Sequence, residues 1–241
     1  MRKYLIVAFA ALTAMAFATV ALAQTPDKAT LTTKLTPVNA GTKKKPANAK
    51  LRLKVANANT DRTMSALDIF MPKTVKVSLK GLPSCDPATI FAKSCPKSTV
   101  LGTGVAKAKT GVNGTNPGDL TFDVKAFKTT SALNGKEMLG FYIESGTLQF
   151  LTETKLSKAG GKYGQKLHID VPELAQHAGS SYNGLVSLDT TLSKKKGKNK
   201  LIATIGCKKK KHPFKVDLTF IDNGVTTGTV LSDTSTSKCT K

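Results

Sequence analysis

Tryptophan is absent from this 241-residue chain, histidine occurs three times, and 15 acidic residues stand against 37 lysines and arginines. Each shortage removes a class of function. With no indole, and no aromatic residues interleaved among the lysines, there is no stacking platform for sequence-specific nucleic-acid binding. A polymer hydrolase needs clustered carboxylates, or a nucleophile with its base and orienting group, and no spacing groups the few acids here. The histidines, His168, His177 and His212, lack the spacing of a compact zinc motif. His168-x-Asp170 on one strand face, and Glu173 one helical turn from His177, read as polar side chains facing water. Gly102-Thr103-Gly104 lacks the third glycine and the following helix of a dinucleotide fold. No metal and no cofactor are therefore expected.

A long apolar run occurs once, at the start. Arg2 and Lys3 precede apolar residues 5–20, and Ala21-Leu22-Ala23 comes before Gln24. A basic start, an apolar middle and an A-x-A end predict a secretory signal peptide cut after Ala23. No cysteine follows the cut for a lipid anchor, and no transmembrane anchor is expected once the signal is removed. Cleavage takes away two basic residues and no acidic ones, leaving 218 residues with a net charge of +20. Residues 24–49, rich in Thr, Lys, Pro and Ala, read as a mobile leader with at most an edge strand around 31–35.

What remains alternates with period two. In KLRLKVA, Leu51, Leu53 and Val55 share one face and Lys50, Arg52 and Lys54 the other. The pattern returns at Val75, Val77 and Leu79, at Leu120, Phe122, Val124 and Ala126, at Leu167, Ile169 and Val171, and at Phe214, Val216, Leu218 and Phe220. Less regular strand candidates are 99–106, 138–144, 147–155, 185–192, 200–206 and 225–231. Short strands separated by Gly, Asn and Pro predict an all-β fold, an antiparallel β-sandwich or jelly roll over residues 50–241. A division into two β units would fall near 111–118. Helix is confined to one or two short turns, at 87–93 behind Asp86-Pro87 and at 172–177. Asn113-Gly114-Thr115 is a glycosylation sequon and equally a hairpin turn.

Ser94-Cys95-Pro96-Lys97 poses the one catalytic question. With Lys109-Thr110-Gly111 and Ser181-Tyr182-Asn183, it supplies all three short signatures of penicillin-recognising serine enzymes. In those enzymes Ser-x-x-Lys opens a helix; here β-branched residues and glycine follow, and the other two signatures come in reverse order. The alternative is a staple. Cys85, Cys95, Cys207 and Cys239 are an even set that allows three pairings, and all lie in the exported part. The short loop turned by Asp86-Pro87 favours Cys85 with Cys95. A meander of 200–206, 212–221 and 225–231 would bring Cys239 back to Cys207.

Lysine clusters stand out at Lys43, Lys44 and Lys45, at Lys194, Lys195 and Lys196, and at Lys208, Lys209, Lys210 and Lys211. The last two would cap opposite ends of a strand over 200–206. Seven strand residues span about 23 Å, well past the ~8 Å screening length. The sequence therefore predicts weak, diffuse contact with an anionic cell-envelope polymer, not a shaped groove.

The segment LPSCDPATIFAKSCPKSTVLGTGVA at 82–106, the later CKKKKHPFKVDLTFIDNG at 207–224 and the final Cys239 together resemble a group of exported actinobacterial β-rich proteins with a signal peptide. The resemblance implies secretion and paired cysteines and carries over no catalytic residue. The expectation is a secreted, disulfide-stapled β-sandwich that binds or builds and does not catalyse, with an extracellular hydrolase of envelope polymers as its rival.

Overall fold

The computed structural model describes residues 28–58, 62–111, 118–178, 181–222 and 225–240. The expected signal peptide, the Asn113 sequon and residues 223–224 lie outside them. Two antiparallel sheets pack face to face. The larger has the order β1 (Ala29–Thr36), β3 (Lys50–Asn57), β14 (Gly184–Leu192), β6 (Val100–Thr110), β7 (Gly118–Thr130), β8 (Glu137–Ser145) and β9 (Leu148–Thr152). The smaller has the order β10 (Thr154–Lys158), β11 (Tyr163–Asp170), β4 (Thr63–Pro72), β18 (Lys211–Asp222) and β19 (Val225–Lys238). β2 (Ala47–Asn48), β17 (Ile202–Thr204) and β5 (Val75–Val77) form a three-stranded sheet. Two minor hairpins complete the strands, β12 (His177–Ala178) with β13 (Ser181–Tyr182) and β15 (Lys195–Lys196) with β16 (Asn199–Lys200). The helical turns are α1 (Pro87–Phe91), a 3-10 turn at Lys97–Thr99 and α2 (Glu173–Gln176).

The all-β fold and its face assignments follow from the alternation. Leu51, Leu53, Val55, Phe122, Val124, Leu167, Ile169, Phe214, Val216, Leu218 and Phe220 are all buried in one core, each strand presenting every second residue to the opposite sheet. α1 begins where Asp86-Pro87 predicts: Asp86 Oδ1 accepts the Thr89 N–H at 2.9 Å. Glycine at 102 and 104 has a packing reason, since a Cβ there would collide with the backbone of β14 at Thr191 and Asp189. These glycines let two central strands approach.

Strands from both sides of 111–118 share each sheet, so the sheets are not divided there. Two expectations are corrected. From Lys28 onward the residues read as a mobile leader are built into the larger sheet: β1 pairs with β3 along its whole length and alternates buried and exposed. The meander is interrupted, because β17 joins β2 and β5 and does not pair with β18; of its three strands, β18 and β19 alone pair with each other.

β1 would otherwise be an open edge. It is closed by side chains. The N–H groups of Leu31, Thr33 and Leu35 donate to Asp233 Oδ2 at 2.7 Å, Ser235 Oγ at 3.0 Å and Ser237 Oγ at 2.8 Å. These acceptors alternate along β19 and replace a neighbouring strand's carbonyls.

Candidate functional site

The Ser94 region is a fastened loop. Cys85 and Cys95 are bonded, with Cα atoms 6.0 Å apart. Ser94 and Lys97 are both exposed, beyond the end of α1, and the Ser94 hydroxyl donates to the Thr89 carbonyl at 3.4 Å. Lys109 lies at the far end of β6 from this loop, opposite Gly184; nine strand steps put about 30 Å between them. The loop packs on the outer face of the larger sheet, with Cys85 and Ile90 against Phe127 and Tyr142. Lys93 and Lys125 hold Glu144 at 2.7 and 2.9 Å. Hydrogen bonds from Lys93, then Lys125, lower the Glu144 pKa from an ordinary 4.5 to about 2. These contacts hold the loop in place.

Folding also gathers acids that the sequence keeps apart. On the outer face of the smaller sheet, His168, Asp68 and Asp217 stand side by side on β11, β4 and β18. His168 Nδ1 lies 2.6 Å from Asp68 and Nε2 2.9 Å from Asp170. Lys166 neutralises Asp68 at 3.1 Å and Lys215 neutralises Asp217 at 2.8 Å. Both ring nitrogens and both opposed carboxylates are thereby engaged on an open strand face. Glu173 is in α2 and His177 in β12, so they do not share a helix. Among the described residues no group of three or more His, Cys, Asp or Glu is arranged to hold a metal. His212 is buried and shares a 2.7 Å hydrogen bond with Thr74 Oγ1, and burial lowers its pKa below the ordinary 6.5.

The lysine clusters come together at one end of the sandwich. The three-stranded sheet closes the end where β1, β4 and β14 finish and β3, β6 and β18 begin. Lys43, Lys44 and Lys45 lead into β2, Lys194, Lys195 and Lys196 precede β17, and Lys208–Lys211 follows it. The two later clusters do flank one strand, but β17 has three residues and spans about 10 Å. Among the described residues, none of these ten lysines has a carboxylate within ion-pair distance. All but the half-buried Lys194 are exposed. Lys209 and Lys210 have φ of 54° and 57°, the left-handed region that favours glycine. The turn is held by the Lys208 to Lys211 bridge, by Cys239 N–H on the Lys210 carbonyl at 3.0 Å, and by the Cys207–Cys239 disulfide.

The opposite end contains an apolar cavity of about 320 Å³ between the sheets. β6 creates it. Ala106, Ala108 and Thr110 occupy inner-face positions where neighbouring strands carry larger side chains such as Leu120, Phe122 and Leu188. Met64, Leu67 and Ile169 line the facing sheet, and Pro172 and Ala175 border α2. Phe122 and Phe150 meet edge to face at 5.9 Å. The wall reaches solvent at Leu148, which is 43% exposed. Asn183 supplies a polar group: its Nδ2 donates to the Ala175 carbonyl at 3.2 Å, while its buried Oδ1 has no donor among the described residues. The sequence does not announce this site, since two alanines on a strand carry no motif.

No family model matches the sequence, and no curated protein matches it. The functional reading therefore rests on the two ends of the sandwich.

Proposed function

We propose that the chain is an exported, non-catalytic binding protein that attaches to anionic cell-envelope polymers through its basic end. Secretion follows from the basic, apolar and A-x-A pattern of residues 1–23 and from the resemblance to exported actinobacterial proteins; the two disulfides suit an oxidising compartment. The observation that carries the binding role is the turn Lys208–Lys211. Two successive lysines are held in a left-handed conformation, exposed and with no carboxylate partner among the described residues, between a disulfide and a strand. Backbone strain and like-charge repulsion both oppose that arrangement, and a polyanion relieves the repulsion.

The test is retention of the mature protein on immobilised polyphosphate as salt is raised. Affinity should fall log-linearly with salt, as condensed counterions are released. Replacing Lys208, Lys209, Lys210 and Lys211 by Gln should reduce the slope by up to about 3, and the same change at Lys194, Lys195 and Lys196 by about 2. Neither should abolish binding alone. Salt-independent retention, or complete loss from one cluster, would replace this reading with a defined site.

A further inference from the structure

We propose that the cavity is a binding site for a neutral aliphatic molecule of about ten heavy atoms that carries one hydroxyl-type hydrogen-bond donor. The site is separate from the basic end and lies between the sheets at the other end of the sandwich. Size sets the chain length: 320 Å³ holds roughly ten groups at the ~30 Å³ that a water-sized group occupies in a liquid. Chemistry sets the rest. The walls are aliphatic and aromatic, with no charged side chain lining them, so a carboxylate or ammonium group would lose its hydration without compensation.

Asn183 adds the polar requirement. Its amide N–H is used on the Ala175 carbonyl and its N–H of the main chain on the Gln176 carbonyl, but Oδ1 is buried without a donor. An acceptor left unmade in an apolar wall is costly; it has no accessible surface in this conformation, and a turn of the Asn183 side chain toward the cavity would bring it to a ligand hydroxyl. Entry is available at the exposed Leu148. The alternative is a packing defect. Close-packed cores rarely tolerate a void of this size, and here it comes from small residues on the central strand β6, flanked by larger ones on β7 and β14.

The mature protein is titrated with 1-decanol and with decyl methyl ether, which has a similar chain and no donor, by calorimetry and by intermolecular nuclear Overhauser effects. The expected result is saturable 1-decanol binding, about tenfold tighter than the ether, with contacts to the methyls of Ala106 and Ala108. Decanoate should bind more weakly than 1-decanol. Ala108→Leu, and independently Ala106→Leu, should occupy the space and remove binding while leaving thermal stability equal or higher. Asn183→Ala should bring the alcohol and ether affinities together. The comparison of the two ligands on the parent protein needs no variant. Equal affinity for both, contacts elsewhere, or no saturable binding would overturn the proposal; stabilisation by the leucine variants without any ligand binding would identify a packing defect.

Discussion

The two ends of the sandwich are held by different means. The basic end contains both disulfides, the three-stranded sheet and three lysine clusters that have no carboxylate partner among the described residues. The cavity end has neither disulfide and is lined by apolar side chains. Where charge repulsion and left-handed lysines work against order, covalent links and buried groups such as His212 and Ser237 hold the chain. Where nothing repels, packing alone suffices, and it can be left incomplete around a space. The binding proposed for one end is thus electrostatic and superficial, and that proposed for the other apolar and internal.

The largest blow to this comparison is removal of the cross-links. Replacing Cys207 and Cys239 by Ser opens a 32-residue loop and should cost about 3–4 kcal/mol in urea unfolding; the Cys85 and Cys95 pair closes 10 residues and should cost about 2.7 kcal/mol. Hydrogen exchange should rise first around 207–211 and 236–240, with the strands around Ala106 and Ala108 affected only through global unfolding. Equal losses of protection at both ends would remove the distinction.

A smaller effect is expected at the side-chain closure of β1. Ser237→Ala leaves the buried Leu35 N–H without its acceptor and should cost about 1–3 kcal/mol. Thr234→Ala, on the exposed face of the same strand, should be within about 0.5 kcal/mol of the parent. Equal effects would show that strand propensity, and not the bond to β1, decides.

The smallest effects are in pH dependence. Glu144 is depressed from an ordinary 4.5 to about 2, so its stabilisation is complete above the unfolded value and disappears as pH falls from 4.5 toward 2. Its lysine partners are 50% and 42% exposed, and solvent screening reduces the contribution to about 1 kcal/mol. Glu144→Gln should remove that part of the acid transition. His212 acts in a higher window: the unfolded chain takes up a proton below about pH 6.5 that burial makes unfavourable in the fold. Stability therefore declines as pH falls through that range, and His212→Gln should flatten the decline. Stability curves of both variants from pH 8 to 2 separate the two windows.

Strands with clean alternation were legible from residue type, and so was the capped turn at Asp86-Pro87. β4 was not. Its inward residues are Met64, Leu67, Ile69 and Met71, and the phase breaks between 64 and 67, where the pairing with β18 shifts register. Phe70 on the outer face, 5.1 Å from Lys215 Nζ, further masks the pattern. The second half of β19 was hidden because its inward residues are Asp233, Ser235 and Ser237, which face backbone N–H groups instead of the core. The lysine clusters were visible, but their gathering at one end depends on β17 being short and belonging to a third sheet. The cavity was illegible, since it arises from missing volume at Ala106 and Ala108.

The bonds between β1 and β19 join residues 202 positions apart. Contacts of that separation form late, because nearly the whole chain must be brought into register before they can repay the entropy of closure. A growing chain can pair β1 with β3 early, but the outer edge of β1 stays open until β19 has been made. During that interval the exposed edge is available to other chains, and the high net charge of the chain, which keeps like molecules apart, protects the unfinished protein as well as the finished one.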